Sequence, residues 1–439
     1  MKTSTLSIAL LALTLSAVES AAQELGGFLD AKSSDPVKMG WMHGAPPPPN
    51  RVIQFDDGSF LKFPQFRWSF SHWRELRPSV RVSRGNGPIS ILPRSERADL
   101  DAVTFMPEGS NQEMTWQQSL AANYTDGIVV LHKGAIVYER NFGALKPDGL
   151  HIAFSVSKSF IGTIATSLIS EKILDESATV EHYIPELEGS GFGGATLSQL
   201  LDMTTNLKFD ETYANPNSDI WRFSRAAGVR PKPPAYTDSA TIFDFLTRVK
   251  SAGNHGQGFK YRSINTEVLA WIISRTTGQP IERLLSDRIW KPLGMESDAY
   301  LAVDNAGTAW SSGGLNLQLR DLARFGEMMR MDGRFNGKQI VPESVVAEIR
   351  LCRKRGDCAQ PSDNERSDRS YNNQWWVMHN DHDAFAARGV YGQTVYVDPK
   401  AEMVIARFAS YPLASNANID ATSLPAYHAL GKHLMTTKY

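Results

Sequence analysis

Two stretches of the chain are rich in β-branched residues and broken by a turn signal. In Gly127-Ile-Val-Val-Leu-His-Lys-Gly-Ala-Ile-Val-Tyr-Glu139 the turn contains Gly134, and the pattern is that of a β-hairpin. Thr394-Val-Tyr-Val-Asp-Pro-Lys-Ala-Glu-Met-Val-Ile-Ala-Arg-Phe408 repeats it near the other end, with the turn at Asp398-Pro399. Between them the apolar spacing turns helical. Phe160, Ile161, Ile164, Leu168 and Ile169 share a face over residues 155–172. A second helix is predicted over 266–277, stopped by Gly278 and Pro280, and a third over 319–329. Strands near both ends with helices between predict an α+β fold. Its antiparallel sheet is flanked by helices, its distant ends pair, and residues from about 175 to 335 form a mainly helical second lobe. A cleft between such lobes is a usual place for a ligand.

The first residues follow a different pattern. Lys2, the apolar stretch Leu6–Val18 and Ser20-Ala21-Ala22 predict a secretory signal over residues 1–22, with a short membrane anchor as the alternative. Thirteen apolar residues are few for a bilayer span, which favours removal and a periplasmic or secreted protein. Residues 23–109 read as an N-terminal extension packed on the main domain, 110–439. Its four prolines, Pro46 to Pro49, read as extended. Its aromatic cluster (Phe66, Trp68, Phe70, Trp73) argues for packing rather than disorder.

Composition narrows the class. A chain of 439 residues, 42% hydrophobic and 21% charged, is ordinary for a globular enzyme, and its net charge of −1 gives no reason to expect a nucleic-acid or acidic-membrane partner. Export would allow a Cys352–Cys358 disulfide around a polar loop; two unpaired thiols are the alternative. His379 and His382 read as part of a solvated loop, so no metal and no cofactor is expected.

Candidate chemistry begins with Ser-x-x-Lys, which occurs twice. Ser59-Phe-Leu-Lys62 follows an Asp-Gly turn and alternates as in a strand, where residues three apart point to opposite faces. Ser155-Val-Ser-Lys158 opens a helix, where the same spacing brings serine and lysine together. A serine hydroxyl needs such a base to act as a nucleophile. Taken alone, the pair fits a capping serine and a surface lysine equally well. Two later segments change this: Tyr261-Arg-Ser263, just ahead of the second helix, and Gly389-Val-Tyr-Gly-Gln393, leading into the second hairpin.

In that order the three segments resemble the serine β-lactamase and penicillin-recognising superfamily, on its class C and esterase side. Further segments are similar to the 6-aminohexanoate-dimer hydrolase group: Trp68-Ser-Phe-Ser-His72, Thr125–Gly134, Leu200-Leu-Asp-Met-Thr204, Tyr213–Asp219, Ser312-Gly-Gly-Leu-Asn316 and Arg320–Gly326. The likeness runs from about residue 65 to 410. It implies a β-lactamase/transpeptidase-like fold and an acyl-enzyme on Ser155, with Lys158 and Tyr261 as bases. It also implies an oxyanion hole from the backbone N–H groups of Ser155 and Gln393. Tyr213, Ser263 and Gly392 become substrate contacts, with Gly392 allowing close approach of the strand; Tyr213 also fits a plain surface residue. The implied partner is a small-molecule ester or amide.

The chain departs from the β-lactamase pattern in two places. Nothing reads Lys-[Thr/Ser]-Gly; Val390-Tyr391-Gly392 stands there instead, with Arg388 nearby as the available cation for a substrate carboxylate. Ser263 stands where class C enzymes usually place Asn. The first departure favours esters or amides over β-lactams; the second removes one amide donor and acceptor and so weakens the expected recognition of a substrate amide. The competing expectations are a β-lactamase, a D-amino-acid peptidase, or a catalytically silent binding protein on the same scaffold.

Overall fold

The structure, a computed structural model, describes residues 27–355 and 369–436. The expected signal segment and the Cys352–Cys358 pairing lie outside the described residues. A seven-stranded antiparallel sheet organises the molecule. Its strands are β1 (Thr125–His132), β2 (Ala135–Asn141), β3 (Arg369–Asn372), β4 (Trp375–Met378), β5 (Phe385–Gly389), β6 (Gln393–Asp398) and β7 (Met403–Ala409). The order across the sheet is β3-β4-β5-β6-β7-β1-β2. β7 pairs with β1, Ile405 opposite Val130, so the two hairpins meet across more than 250 residues of chain, as expected.

Alternation along these strands sorts side chains to two cores. Val129 and Leu131 of β1 join the large core, with Val404 and Ala406 of β7. Ile128 and Val130 join a smaller one, with Met403 and Ile405. Both faces are covered, so β1 is buried along its whole length. The main helices are α1 (Val156–Ser170), α2 (Ile264–Thr277), α3 (Leu319–Arg330) and α4 (Ala417–Thr436). α4 closes the smaller core through Tyr427, Leu430 and Leu434. α1 is buried on every face from Val156 to Leu168, which makes it the central helix of the large core.

Several expectations change. The helix α3, assigned from sequence to a helical lobe reaching 335, packs on the main sheet instead, with Gly326 against Val395 and Val404. The segment between α2 and α3 also carries strands. Ala299–Ala302 and Leu315–Gln318 join Ser79–Val82 and Leu150–Ile152 in a four-stranded antiparallel sheet. Pro49 opens a 3-10 turn, Pro49–Arg51, rather than ending an extended run. Phe60, Phe66, Phe70 and Trp73 are all buried in the large core.

Candidate active site

The start of α1 is where the chain brings its candidate chemistry together. Phe154 adopts a left-handed φ of 45°, rare for a bulky residue. Ser155 follows it at the N-cap, and its hydroxyl makes no capping bond. It is engaged elsewhere: Lys158 Nζ donates to Ser155 Oγ at 2.9 Å and to the Ser312 carbonyl at 2.8 Å. Lys158 is 1% exposed. Burial pulls its pKa down to about 8 against the opposing pull of the Glu211 and Glu267 carboxylates.

The other Ser-x-x-Lys behaves differently, and not for the expected reason. Ser59–Leu61 is a 3-10 turn rather than a strand. Ser59 Oγ is occupied with the Gln54 backbone, accepting from its N–H at 2.9 Å and donating to its carbonyl at 3.2 Å.

Tyr261 stands beside the pair. Its ring centre lies 5.2 Å from Lys158 Nζ, and the ring stacks on Trp376. Ser263 caps α2 and is tied to Glu211, donating from both N–H and Oγ at 2.6 Å. Tyr213 donates to the same carboxylate at 3.0 Å. Burial and that negative charge hold the Tyr213 phenol well above its ordinary pKa. Tyr213 is therefore half-buried in the cluster, not a plain surface residue.

Sequence reasoning missed the two carboxylates behind this arrangement. Glu267 is 2% exposed and accepts from the N–H groups of Ser311 and Ser312 at 3.1 and 2.8 Å. It thereby fixes the carbonyl that holds Lys158. Burial raises its pKa to about 7, although the two amides and Lys158 oppose the rise. A signal existed: a glutamate inside an otherwise apolar helix, between Thr266 and Val268, is out of pattern. Glu211, in a polar loop, gave none.

The Gly-rich segment sits otherwise than expected. A Cβ on Gly389 would fall 2.6 Å from the Ala153 carbonyl and 3.0 Å from the Ser155 amide nitrogen. It is Gly389, not Gly392, whose lack of a side chain lets the strand reach Ser155. Gly392 has φ 100° and faces Ala409 and Ile419. Gln393 is fully buried, and its side-chain amide ties Val390 and Ala409 carbonyls together. Val390 and Tyr391, by contrast, line the cavity over Ser155. Arg388 is not free for a substrate either: it is paired with Asp420, which also takes Arg369 at 3.1 Å.

That cavity is walled by Ser155, Lys158, Ser263 and Ser312 together with Trp73, Tyr213, Trp221 and Trp310. It is predominantly apolar with few polar groups converging on one serine, the usual makeup of a small-molecule site. The two histidines read as a solvated loop are not one. His382 is buried and bonded through Nδ1 to Asp398 at 2.7 Å, and His379 bonds Ser370 at 2.8 Å. Among the described residues no helix is long and apolar enough to cross a membrane.

Known proteins resemble the chain over most of its length. The beta-lactamase family model matches residues 118–424. The chain is 33% identical over 356 residues to the 6-aminohexanoate-dimer hydrolase of Paenarthrobacter ureafaciens, spanning 81% of this chain and 88% of that one. A solved Bacillus anthracis protein, provisionally described as a 6-aminohexanoate-dimer hydrolase, superimposes with a TM-score of 0.81 at 34% identity, covering 90% of this chain and all of that one. A family VIII carboxylesterase shares the fold at a TM-score of 0.54 and 15% identity, covering 72% of this chain and 96% of that one.

Proposed function

The chain belongs to the beta-lactamase family and is a serine hydrolase, and from that premise we propose that it cleaves an ester or amide bond through an acyl-enzyme on Ser155. Lys158, neutral in part near pH 8, takes the Ser155 proton as the hydroxyl attacks a carbonyl carbon. Tyr261, beside the lysine, assists as the second base and then protonates the leaving group. Water releases the acyl group by the reverse relay. The oxyanion forming on the carbonyl is held by the Ser155 N–H and by the N–H of Val390. This moves the second donor away from Gln393, because Val390 follows the glycine that abuts the Ser155 amide and lines the cavity.

One observation carries the reading: a fully buried lysine whose Nζ lies 2.9 Å from Ser155 Oγ in the wall of the cavity. The β-lactamase and D-amino-acid peptidase readings stand second. The segment Val390-Tyr391-Gly392 supplies neither a lysine nor a small hydroxyl for a β-lactam carboxylate, and Arg388 is committed to Asp420. Labelling with a fluorophosphonate probe tests the proposal. Wild type should label and Ser155→Ala should not; equal labelling would remove Ser155 from the chemistry, and an unlabelled wild type would favour a silent binding protein. Export to the periplasm or medium belongs to the same proposal, with removal of residues 1–22. The mature protein should then begin at Gln23, and an N-terminal sequence starting at Met1 would refute it.

A further inference from the structure

We propose that Arg230 is a specificity-determining residue of this cavity and that it receives a carboxylate carried by the substrate. The inference rests on the hydrolase reading above and names a substrate class within it. Arg230 is half-buried and lines the same cavity as Ser155 and Lys158. Its guanidinium carbon lies 3.8 Å over the centre of the Trp221 ring, and Trp221 in turn meets Tyr213 edge to face. The guanidinium has no hydrogen bond and no ion pair among the described residues. Arg222, eight residues earlier, is held by Asp219 and Asp238 at 2.9 and 2.7 Å.

A half-buried cation without a counter-charge is unfavourable unless something supplies one. The protein does not. The residues lining the cavity include no Asp or Glu, and the Glu211 carboxylate is engaged by Ser263 and Tyr213. The neighbours that act on Arg230 are the Tyr391 phenol and Arg225, another cation, while burial disfavours its charge. Yet a guanidinium stays protonated in proteins.

Its position is also fixed in advance. The N–H groups of Val229 and Arg230 bond the Ser224 carbonyl at 2.9 and 3.2 Å, at the end of helix Asp219–Ala226. Held over an indole by its central carbon, the guanidinium has donors left for a carboxylate, which it can take bidentately. An ammonium-bearing substrate meets the opposite: a cation and no acid on the wall.

The test compares mono-p-nitrophenyl glutarate with p-nitrophenyl butyrate on wild type, Arg230→Gln and Arg230→Lys. The ratio of kcat/KM for the anionic over the neutral ester should fall about ten- to a hundredfold in Arg230→Gln, mainly through KM, and recover in part in Arg230→Lys. An unchanged ratio in Arg230→Gln overturns the proposal. Wild type alone gives a second readout that does not depend on folding of a variant. Its KM for the glutarate ester should rise severalfold between low and high salt while that for the butyrate ester stays level; parallel curves overturn the proposal. Calorimetry with hexanoate and hexylammonium reads the same site without turnover. Hexanoate should bind wild type about tenfold or more tightly than Arg230→Gln, and hexylammonium should bind neither; equal hexanoate binding by the two proteins refutes the carboxylate site. Discrimination without ester turnover would sink the hydrolase reading and leave this one standing; turnover with a ratio insensitive to Arg230 would do the reverse.

Discussion

Lys158 carries two linked consequences, one for rate and one for stability, and both follow from its burial. With a pKa of about 8, the amine is neutral in about a tenth of molecules at pH 7, half at pH 8 and nine-tenths at pH 9. If acylation requires the neutral amine, kcat/KM for an aryl ester rises about tenfold per pH unit below 7, then about fivefold from 7 to 8, and levels above 9. The same shift is a stability statement. The lysine ordinarily titrates at 10.5, so the unfolded chain binds more protons than the folded one between about 8 and 10.5. The cost of burying the ammonium is therefore fully present below pH 8 and disappears as pH rises through 8 towards 10.5. Its size is about 3 kcal/mol. Lys158→Met removes that cost but also two hydrogen bonds, to Ser155 Oγ and the Ser312 carbonyl, together worth about 2 kcal/mol. At pH 7 the variant should thus be as stable as wild type or slightly more so, while its acylation rate falls by orders of magnitude. By pH 10 wild type should have regained about 2 kcal/mol relative to it. The assay is stopped-flow ester acylation from pH 6 to 10, with urea unfolding of both proteins at pH 7 and pH 10. A rate midpoint below 7 or above 9, or a stability difference that does not change with pH, would refute the assignment of the buried Lys158 amine, neutral above its lowered pKa, as the base.

Gly389→Ala should fold but lose at least about a hundredfold in kcat/KM, because its Cβ would fall 3.0 Å from the Ser155 amide nitrogen, where the oxyanion must bind; near-normal turnover would place the oxyanion elsewhere. Glu211→Gln keeps the shape of its side chain but cannot accept from Ser263 N–H, Ser263 Oγ and Tyr213 together. It should cost about 1–3 kcal/mol in urea unfolding at pH 7, and an unchanged midpoint would show that the cluster is solvated. Short-chain aryl esters should be turned over far faster than nitrocefin, and the opposite order would return the β-lactamase reading to first place.

How much of this was legible in the sequence divides along a physical line. The two hairpins and α1, α2 and α3 were readable because their apolar periodicity is local, and the pairing of β7 with β1 followed from the topology that such ends require. α4 was hidden by Pro425 inside it, a residue that local rules place outside helices. The four-stranded sheet was hidden because its strands are three or four residues long and come from three separate regions. In the site, Ser155 and Lys158 were legible because helical spacing alone joins them. Other placements were not legible, for a different reason. Gly392, Gln393 and Arg388 were assigned by their order in a Gly-rich strand, but a left-handed glycine and a buried ion pair decide where each side chain goes, and both depend on neighbours far along the chain. The same limit explains Glu267 and Glu211. A buried carboxylate is tolerated only where other parts of the chain supply donors, here the amides of Ser311 and Ser312, and the Ser263–Tyr213 pair. Ser155 and Lys158 therefore make a candidate site through local sequence, but what sets the lysine's pKa is non-local: burial by other parts of the chain that lowers it and two carboxylates that stop it from falling further.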